Sequence, residues 1–131
     1  MIDEFWKLPV AATALLADPT FVILPMRQCE IFFCIEGSDG APVKISLIFD
    51  GVEAFRCTYL TSCSAEMFSS AYGKLVSLKV TPWLIELLKT HENSKRPSKD
   101  FKHMMICFDD GPCYEFICLS FSVNEEVKDI K

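Results

Sequence analysis

Apolar and polar residues alternate over two neighbouring stretches of the chain. Every second residue from Cys29 to Ile35 is apolar, and the same period recurs over residues 43–49. A period of two is typical of a strand with one buried face. Residues 37–40, Gly-Ser-Asp-Gly, separate the two stretches with turn-forming residues. We therefore expect an antiparallel hairpin in this part of the chain.

The stretch after this hairpin allows two interpretations. β-prone residues resume at positions 52–60, directly after an Asp50-Gly51 pair. Such a pair is typical of a tight hairpin, because both central residues of that turn adopt positive φ. The alternative is a bulge that bends one continuous strand. An earlier β-prone run at residues 21–24 ends at Pro25, which indicates an edge strand or an irregular lead-in.

The C-terminal part of the chain predicts another hairpin. Residues 101–108 and 113–123 are rich in β-formers and flank a turn that we place at Asp110-Gly111. Residues 74–80 also alternate and predict a further strand. Residues 124–131 are rich in charge and predict a frayed tail.

Two segments predict helices. Residues 3–17 start with an Asp that can cap a first turn and stop at an Asp-Pro pair, which predicts a helical segment in one or two pieces. Thr81 and Pro82 suit the first positions of a second helix, whose apolar stripe begins at Trp83. Residues 65–68 are compatible with one more helical turn.

These elements predict one α+β domain over residues 1–131. A mainly antiparallel sheet of about five or six strands would pack against the N-terminal helical segment and the Trp83 helix. A chain of this length can bury about two-thirds of its unfolded surface without a disulfide or a metal. The predicted core consists of Trp6, Leu15, Ile31, Phe33, Ile45, Leu47, Phe55, Leu78, Trp83, Leu87, Ile106, Ile117, Leu119 and Phe121.

Charge and composition narrow the classes of function. The formal net charge of -5 disfavours binding to nucleic acid, because it repels the phosphate backbone. The N-terminus lacks the basic start of a signal peptide, and no stretch reaches the roughly 20 apolar residues of a membrane span. We therefore expect a soluble, cytoplasmic protein with no membrane partner. Half of the residues are hydrophobic, which suggests that part of the apolar surface lies at an interface.

The seven cysteines predict reduced thiols, since the chain shows no secretion signal. Cys113 and Cys118 are five positions apart and lie on opposite faces of a strand, so they cannot share a metal ion. A Cys107–Cys113 pair across the last hairpin is geometrically allowed, but in a reducing compartment it would usually stay open. We predict neither a metal nor a cofactor.

The polar residues near the last turn have a structural and a chemical interpretation. Asp109 and Asp110 suit a turn, where Asp bonds to nearby backbone amides. A carboxylate pair for acid–base work or Mg²⁺ would need further ligands, for instance Asp50 or Glu53. His103 lies in an alternating strand and is expected to be exposed or half-buried. The sequence carries no nucleophile-elbow, phosphate-loop or dinucleotide motif, and we predict no catalytic residue.

Five residues form the candidate binding surface. Arg56, Tyr59 and Tyr114 lie on predicted strands and could line a concave sheet face, with Asp109 and Asp110 at the nearby turn. The alternative is that the strand residues form ordinary cross-strand pairs on the sheet surface.

Two segments carry a resemblance to known proteins. AYGKLVSLKVTPWLIELLK and MMICFDDGPCYEFICLSFSV combine a strand, a capped helix with Trp, and a closing hairpin with F-D-D and Y-E. This pattern resembles the C-terminal half of certain small bacterial proteins. Some of those occur on mobile gene cassettes, and some are classed among immunity proteins of contact-delivered toxins. The resemblance covers less than half of the chain and implies a single α+β domain that works by binding.

Two functional hypotheses follow. The first is a non-catalytic protein-binding module, immunity-like or cassette-encoded, that binds a protein partner or forms a homodimer; its acidic charge is compatible with a basic partner. The alternative is a small-molecule binder or enzyme with a pocket between sheet and helix. An apolar cavity containing Arg56, Tyr59 or Asp109 would favour the alternative. A flat apolar patch rimmed with carboxylates would favour the first.

Overall fold

The computed structural model describes residues 2–78, 81–91, 100–109 and 112–127. Within these residues the strands are β1 (Ile2–Lys7), β2 (Ala17–Leu24), β3 (Gln28–Glu36), β4 (Pro42–Asp50), β5 (Ala54–Thr58), β6 (Lys74–Leu78), β7 (Lys102–Cys107), β8 (Cys113–Cys118) and β9 (Ser120–Val127). The helices in the same residues are α1 (Ala65–Ala71) and α2 (Pro82–His91), and a short 3-10 turn covers Leu60–Ser62.

The described strands form two antiparallel sheets. The first sheet has the order β1-β6-β7-β8-β5, and the second has the order β2-β3-β4-β9. Their apolar faces pack against each other, with the Phe49 and Phe116 rings stacked at 4.0 Å and the Phe33 and Phe108 rings edge to face at 5.5 Å. The predicted antiparallel α+β class is confirmed, but a single sheet of five or six strands was wrong. The predicted hairpin over residues 29–49 is the β3–β4 pair.

Both helices lie on the outer face of the first sheet. α1 packs with Val76, Met105 and the Cys107–Cys113 pair at one end of that face. α2 packs through Leu84 on Phe101 and Ile117 at the other end. The molecule therefore has three layers: the helices, the first sheet and the second sheet. The outer face of the first sheet has two separate apolar contacts with a gap between them.

The predicted N-terminal helix over residues 3–17 is wrong. The first residues form β1, which pairs with β6 at the edge of the first sheet. Leu8 is buried, and its N–H donates to Gly73 O at 2.9 Å. The irregular segment that follows packs Val10, Ala12 and Leu15 against the core. Neither stretch needs a helix. Pairing with a distant strand satisfies the backbone of β1, and the segment after it reaches the core through its apolar side chains.

The chain passes from one sheet to the other at two points that lie next to each other. β4 belongs to the second sheet and β5 to the first, so Asp50-Gly51 is not the turn of a hairpin. The predicted strand over residues 113–123 likewise divides at Leu119 into β8 and β9. The Leu119 N–H donates to Asp50 O at 3.0 Å, which holds the two bends together. The antiparallel ribbon formed by β4–β5 and β8–β9 thus links the two sheets.

Two residues of the predicted core are exposed, for different reasons. Leu119 is exposed because it occupies the bend, and Phe55 is exposed because β5 is an edge strand. Ile31, Phe33, Ile45, Leu47, Ile106 and Ile117 are buried as predicted, and Trp6, Leu15, Leu78, Trp83, Leu87 and Phe121 are partly buried.

The C-terminal end also differs from its prediction. β9 continues to Val127 and pairs with β4 along its length, so residues 124–127 are not a frayed tail. The remaining residues of the predicted tail, the predicted turn at Asp110-Gly111 and the last two residues of the predicted strand 74–80 lie outside the described residues.

Cys107 and Cys113 form a disulfide, which corrects the prediction of reduced thiols throughout. The two residues are direct neighbours in the β7–β8 ladder, and their Cα atoms lie 4.1 Å apart. The hairpin therefore brings the two sulfurs together. The other cysteines of the chain are free: Cys29, Cys34, Cys57, Cys63 and Cys118.

We expect Gly51→Ala to destabilise the protein by about 2 kcal/mol or more, because two costs add at this bend. Gly51 has φ +64°, and a Cβ built there would lie 2.6 Å from Leu119 Cδ1. Gly40→Ala is the matched control: its φ is +84°, but its Cβ would meet only Glu36 Oε1 at 3.8 Å. Equal losses of unfolding free energy in urea titrations of the two variants would contradict the proposed close approach at the bend.

Candidate functional site

A cavity of about 410 Å³ fills the gap between the two helices on the outer face of the first sheet. Strand alternation puts Arg56, His103, Met105 and Glu115 on this face, where they form the floor. The cavity is lined by Ile2, Arg56, Ser64, Glu66, Met67, Ser70, Leu78, Thr81, His103, Met105 and Glu115. Helix α1 supplies one wall and the start of α2 supplies another.

Glu115 is a buried carboxylate at the centre of the floor, and its side chain is only 4% exposed. Arg56 binds it in a forked arrangement, with Nε donating to Oε2 at 2.8 Å and Nη2 donating to Oε1 at 3.1 Å. His103 Nε2 lies 2.9 Å from Oε1. Burial alone would raise the pKa of Glu115, but the hydrogen bonds from His103 and Arg56 and the nearby Arg56 charge lower that pKa to about 2.

The ionised carboxylate decides which nitrogen of His103 carries the proton. A carboxylate only accepts hydrogen bonds, so Nε2 must donate to Glu115. In the neutral ring, Nδ1 is then an acceptor, and it lies 2.8 Å from Thr81 Oγ1. The Thr81 hydroxyl therefore donates to Nδ1, while its oxygen accepts the N–H of Leu84 at 3.2 Å as the N-cap of α2. The predicted capping role of Thr81 is confirmed.

Trp83 contacts two members of this arrangement, His103 and Arg56. Its ring meets the His103 ring edge to face at a centroid distance of 5.1 Å. The Arg56 guanidinium carbon lies 4.2 Å from the Trp83 ring centroid, within the range of a cation–π contact. Arg56, Glu115, His103 and Thr81 thus form one continuous hydrogen-bonded chain, which we call the floor chain. Its members have little freedom to change rotamer because each is held by at least two neighbours.

The structure separates three of the predicted surface residues. Arg56 lies on the cavity floor, whereas Tyr59 is exposed beyond the end of β5. Tyr114 points into the core between the two sheets, one residue before Glu115 and on the opposite face. Burial, with smaller contributions from Cys57 and Tyr59, raises the pKa of Tyr114 to about 12.

Asp109 does not line this cavity, and Asp110 lies outside the described residues. Asp109 accepts a hydrogen bond from the Tyr72 hydroxyl at 2.5 Å. It lines a second cavity of about 290 Å³ beside the N-terminal segment, together with Leu15 and Phe108. Among the described residues, no three His, Cys, Asp or Glu side chains are placed to hold a metal ion.

The sequence interpretation missed most of the floor chain. His103 was expected to be exposed or half-buried, which is wrong, since it is 1% exposed. Thr81 was identified only as a cap, and Glu115 was not singled out. One signal was available: Glu115 is the only charged residue within the apolar run from Cys113 to Cys118. Its partner Arg56 could not be assigned, because β5 and β8 are 59 residues apart at this pair.

No protein-family model, curated protein or solved structure matches this chain at a significant level. The fold and the site therefore define the class of protein: a two-sheet α+β protein with a polar-floored cavity between its helices. Within the described residues, no helix has the length and apolar character needed to cross a lipid bilayer.

We expect Glu115→Gln to lower the unfolding free energy by about 2 kcal/mol at neutral pH, because it weakens hydrogen bonds to a charged acceptor. The folded-state pKa of Glu115 is depressed from 4.5 to about 2. The stabilisation by its carboxylate is therefore full above pH 4.5 and is lost as the pH falls towards 2. The difference between wild type and variant should shrink over that window in urea titrations at stepped pH.

The control for this prediction is Glu36→Gln, which alters an exposed carboxylate at the end of β3. It should change the unfolding free energy by less than about 0.5 kcal/mol. A wild-type advantage over Glu115→Gln that persists unchanged down to pH 2 would contradict the ionised state assigned to Glu115.

Proposed function

We propose that this protein binds a small organic molecule in the cavity between α1, α2 and the first sheet. The observation that carries the proposal is the floor chain, a hydrogen-bonded polar arrangement with buried Glu115 and His103 at the base of a cavity of about 410 Å³. Cavities of about 300–1,000 Å³ with few convergent polar groups are typical of small-molecule sites. Arg56 lies in this cavity, as expected of a small-molecule binder, but the expectation was for an apolar cavity and this one has a polar floor.

The energetics of the floor support a functional role. Apolar side chains of similar volume at the positions of Glu115 and His103 would stabilise a sheet face about as well, or better, since desolvating a charge is costly. The neighbouring positions on the same face are apolar, as Met105 and Ile117 illustrate. Buried groups with shifted pKa in a cleft are common at binding and catalytic sites.

The lining indicates the chemistry of the ligand. The Arg56 charge is matched by Glu115, so the floor has little net charge with which to hold an anion. Glu66 on α1 adds a carboxylate to the wall and further disfavours an anion. Met67 and Met105 offer flexible apolar surface on the α1 side. The ligand we propose is uncharged, with an apolar body against the methionines and a hydrogen-bonding group towards Thr81.

Protein binding is a second candidate function, favoured by a different observation. Met26 is 91% exposed and Ile23 is 67% exposed, at and beside the β2–β3 turn. Exposed large apolar side chains that lie close together are common at protein interfaces. A homodimer, or an immunity-like partner of opposite charge, would use this region rather than the cavity.

Methyl NMR of methionine distinguishes these candidates in one experiment. With ¹³C-methyl-labelled methionine and a library of uncharged organic fragments, we expect binders to shift the Met67 and Met105 signals and leave Met26 unchanged. Ser70→Trp, which places a large ring in the cavity, should abolish those shifts. Fragments that never move Met67 or Met105 would contradict the pocket. A Met26 signal that moves on simple dilution would instead support self-association.

A further inference from the structure

We infer that Thr81 is a nucleophile and that the cavity hydrolyses small, uncharged carboxylic esters. The inference rests on the proposed function, because it requires that the cavity admit a small uncharged molecule. It adds a reaction and a substrate class to that binding site. Three features of the floor chain support it: a base for the Thr81 proton, a group that orients the base, and a positive environment for the Thr81 oxygen.

The first two features come from His103 and Glu115. A weakly acidic hydroxyl becomes nucleophilic when an adjacent base accepts its proton and a third group orients that base. His103 Nδ1 lies 2.8 Å from Thr81 Oγ1, and its other nitrogen is fixed by Glu115 at 2.9 Å. The Glu115 carboxylate also stabilises the imidazolium that forms when His103 takes the proton. Glu115 is therefore a positioning residue, while Thr81 and His103 touch the reacting atoms.

The third feature is the position of Thr81 at the start of α2, a helix of ten residues. Its Oγ1 accepts the Leu84 N–H at 3.2 Å, so the oxygen lies at the positive end of the helix. That end favours negative charge. The same hydrogen bond keeps the Thr81 side chain in one rotamer, with its proton directed to His103. Capping uses only the acceptor oxygen of Thr81, so a capping role alone would not require buried His103 next to the Thr81 hydroxyl hydrogen.

The reaction balances without any further reagent. Thr81 Oγ attacks the ester carbonyl carbon while His103 Nδ1 takes the hydroxyl proton, and the carbonyl oxygen becomes an oxyanion. That oxyanion forms beside Thr81, where the positive end of α2 favours its negative charge. The bond to the alcohol oxygen then breaks, and the alcohol leaves with the proton from His103. Water attacks the acyl-threonine, His103 takes a water proton, and that proton returns to Thr81 as the acid is released.

The substitutions that test this role separate the cap from the nucleophile. Thr81→Asn keeps a good N-cap residue but removes the hydroxyl. Thr81→Ser keeps both. Thr90→Val is the matched control, because Thr90 lies on the same helix and its exposed hydroxyl bonds only to Glu86 O and Leu87 O in the residues described. Urea unfolding of each variant shows whether the fold is retained.

The probe is p-nitrophenyl acetate, with release of p-nitrophenolate and intact-protein mass as the readouts. We expect wild type, Thr81→Ser and Thr90→Val to turn over, and peptide mapping to place an acetyl group on Thr81 in quenched wild type. Thr81→Asn and His103→Gln should lose at least about 100-fold in rate. A folded Thr81→Asn protein that hydrolyses the probe as fast as wild type, or acetyl groups found only on lysine or cysteine, would overturn the inference.

The amide analogue p-nitroacetanilide separates failure of the nucleophile from failure of the pocket. If this compound shifts the Met67 and Met105 methyl signals and the ester is not hydrolysed, the nucleophile is wrong and the binding site stands. If neither compound has any effect on the protein, neither p-nitrophenyl compound enters the cavity and the ester-hydrolase inference is contradicted.

Discussion

The ionised carboxylate of Glu115 is the interaction on which the site depends. It is buried on a sheet face, so it is stable only because Arg56 and His103 donate to it. That requirement fixes the guanidinium over the Trp83 ring and puts the histidine proton on Nε2. The lone pair of Nδ1 is then directed to Thr81, at the start of α2. One buried charge thus orients a base, a cation and a hydroxyl around the same cavity.

The cavity exists because the helices cover different ends of the first sheet. α1 packs on an apolar cluster that includes Val76 and Met105, and α2 packs on a separate cluster around Ile117. The polar floor lies between these two clusters, and Trp83 of α2 contacts Arg56 and His103 there. The Cys107–Cys113 disulfide joins the two strands that carry His103 and Glu115, and so helps to hold the register that brings those two side chains together. Packing and site geometry therefore depend on the same pair of strands.

Local chemistry made part of this structure predictable. The β3–β4 hairpin followed from alternation and a Gly-rich turn, and the start of α2 followed from Thr81 and Pro82, because neighbouring residues decide both features. The N-terminal segment was misassigned because its strand partner, β6, lies about seventy residues away. The Asp50-Gly51 pair was ambiguous because its geometry depends on Leu119, a residue of another strand. The floor chain combines β5, β7, β8 and α2, and alternation along one strand cannot reveal which side chains such distant elements bring together.

The most direct test of this account is the tautomer of His103, measured by long-range ¹H–¹⁵N NMR at mildly alkaline pH. A His91→Gln variant assigns the signals, since the chain has only two histidines. The account predicts a protonated Nε2 and an unprotonated Nδ1 for His103, and loss of this preference in Glu115→Gln. A proton on Nδ1, or rapid exchange between both tautomers in the wild-type protein, would contradict it.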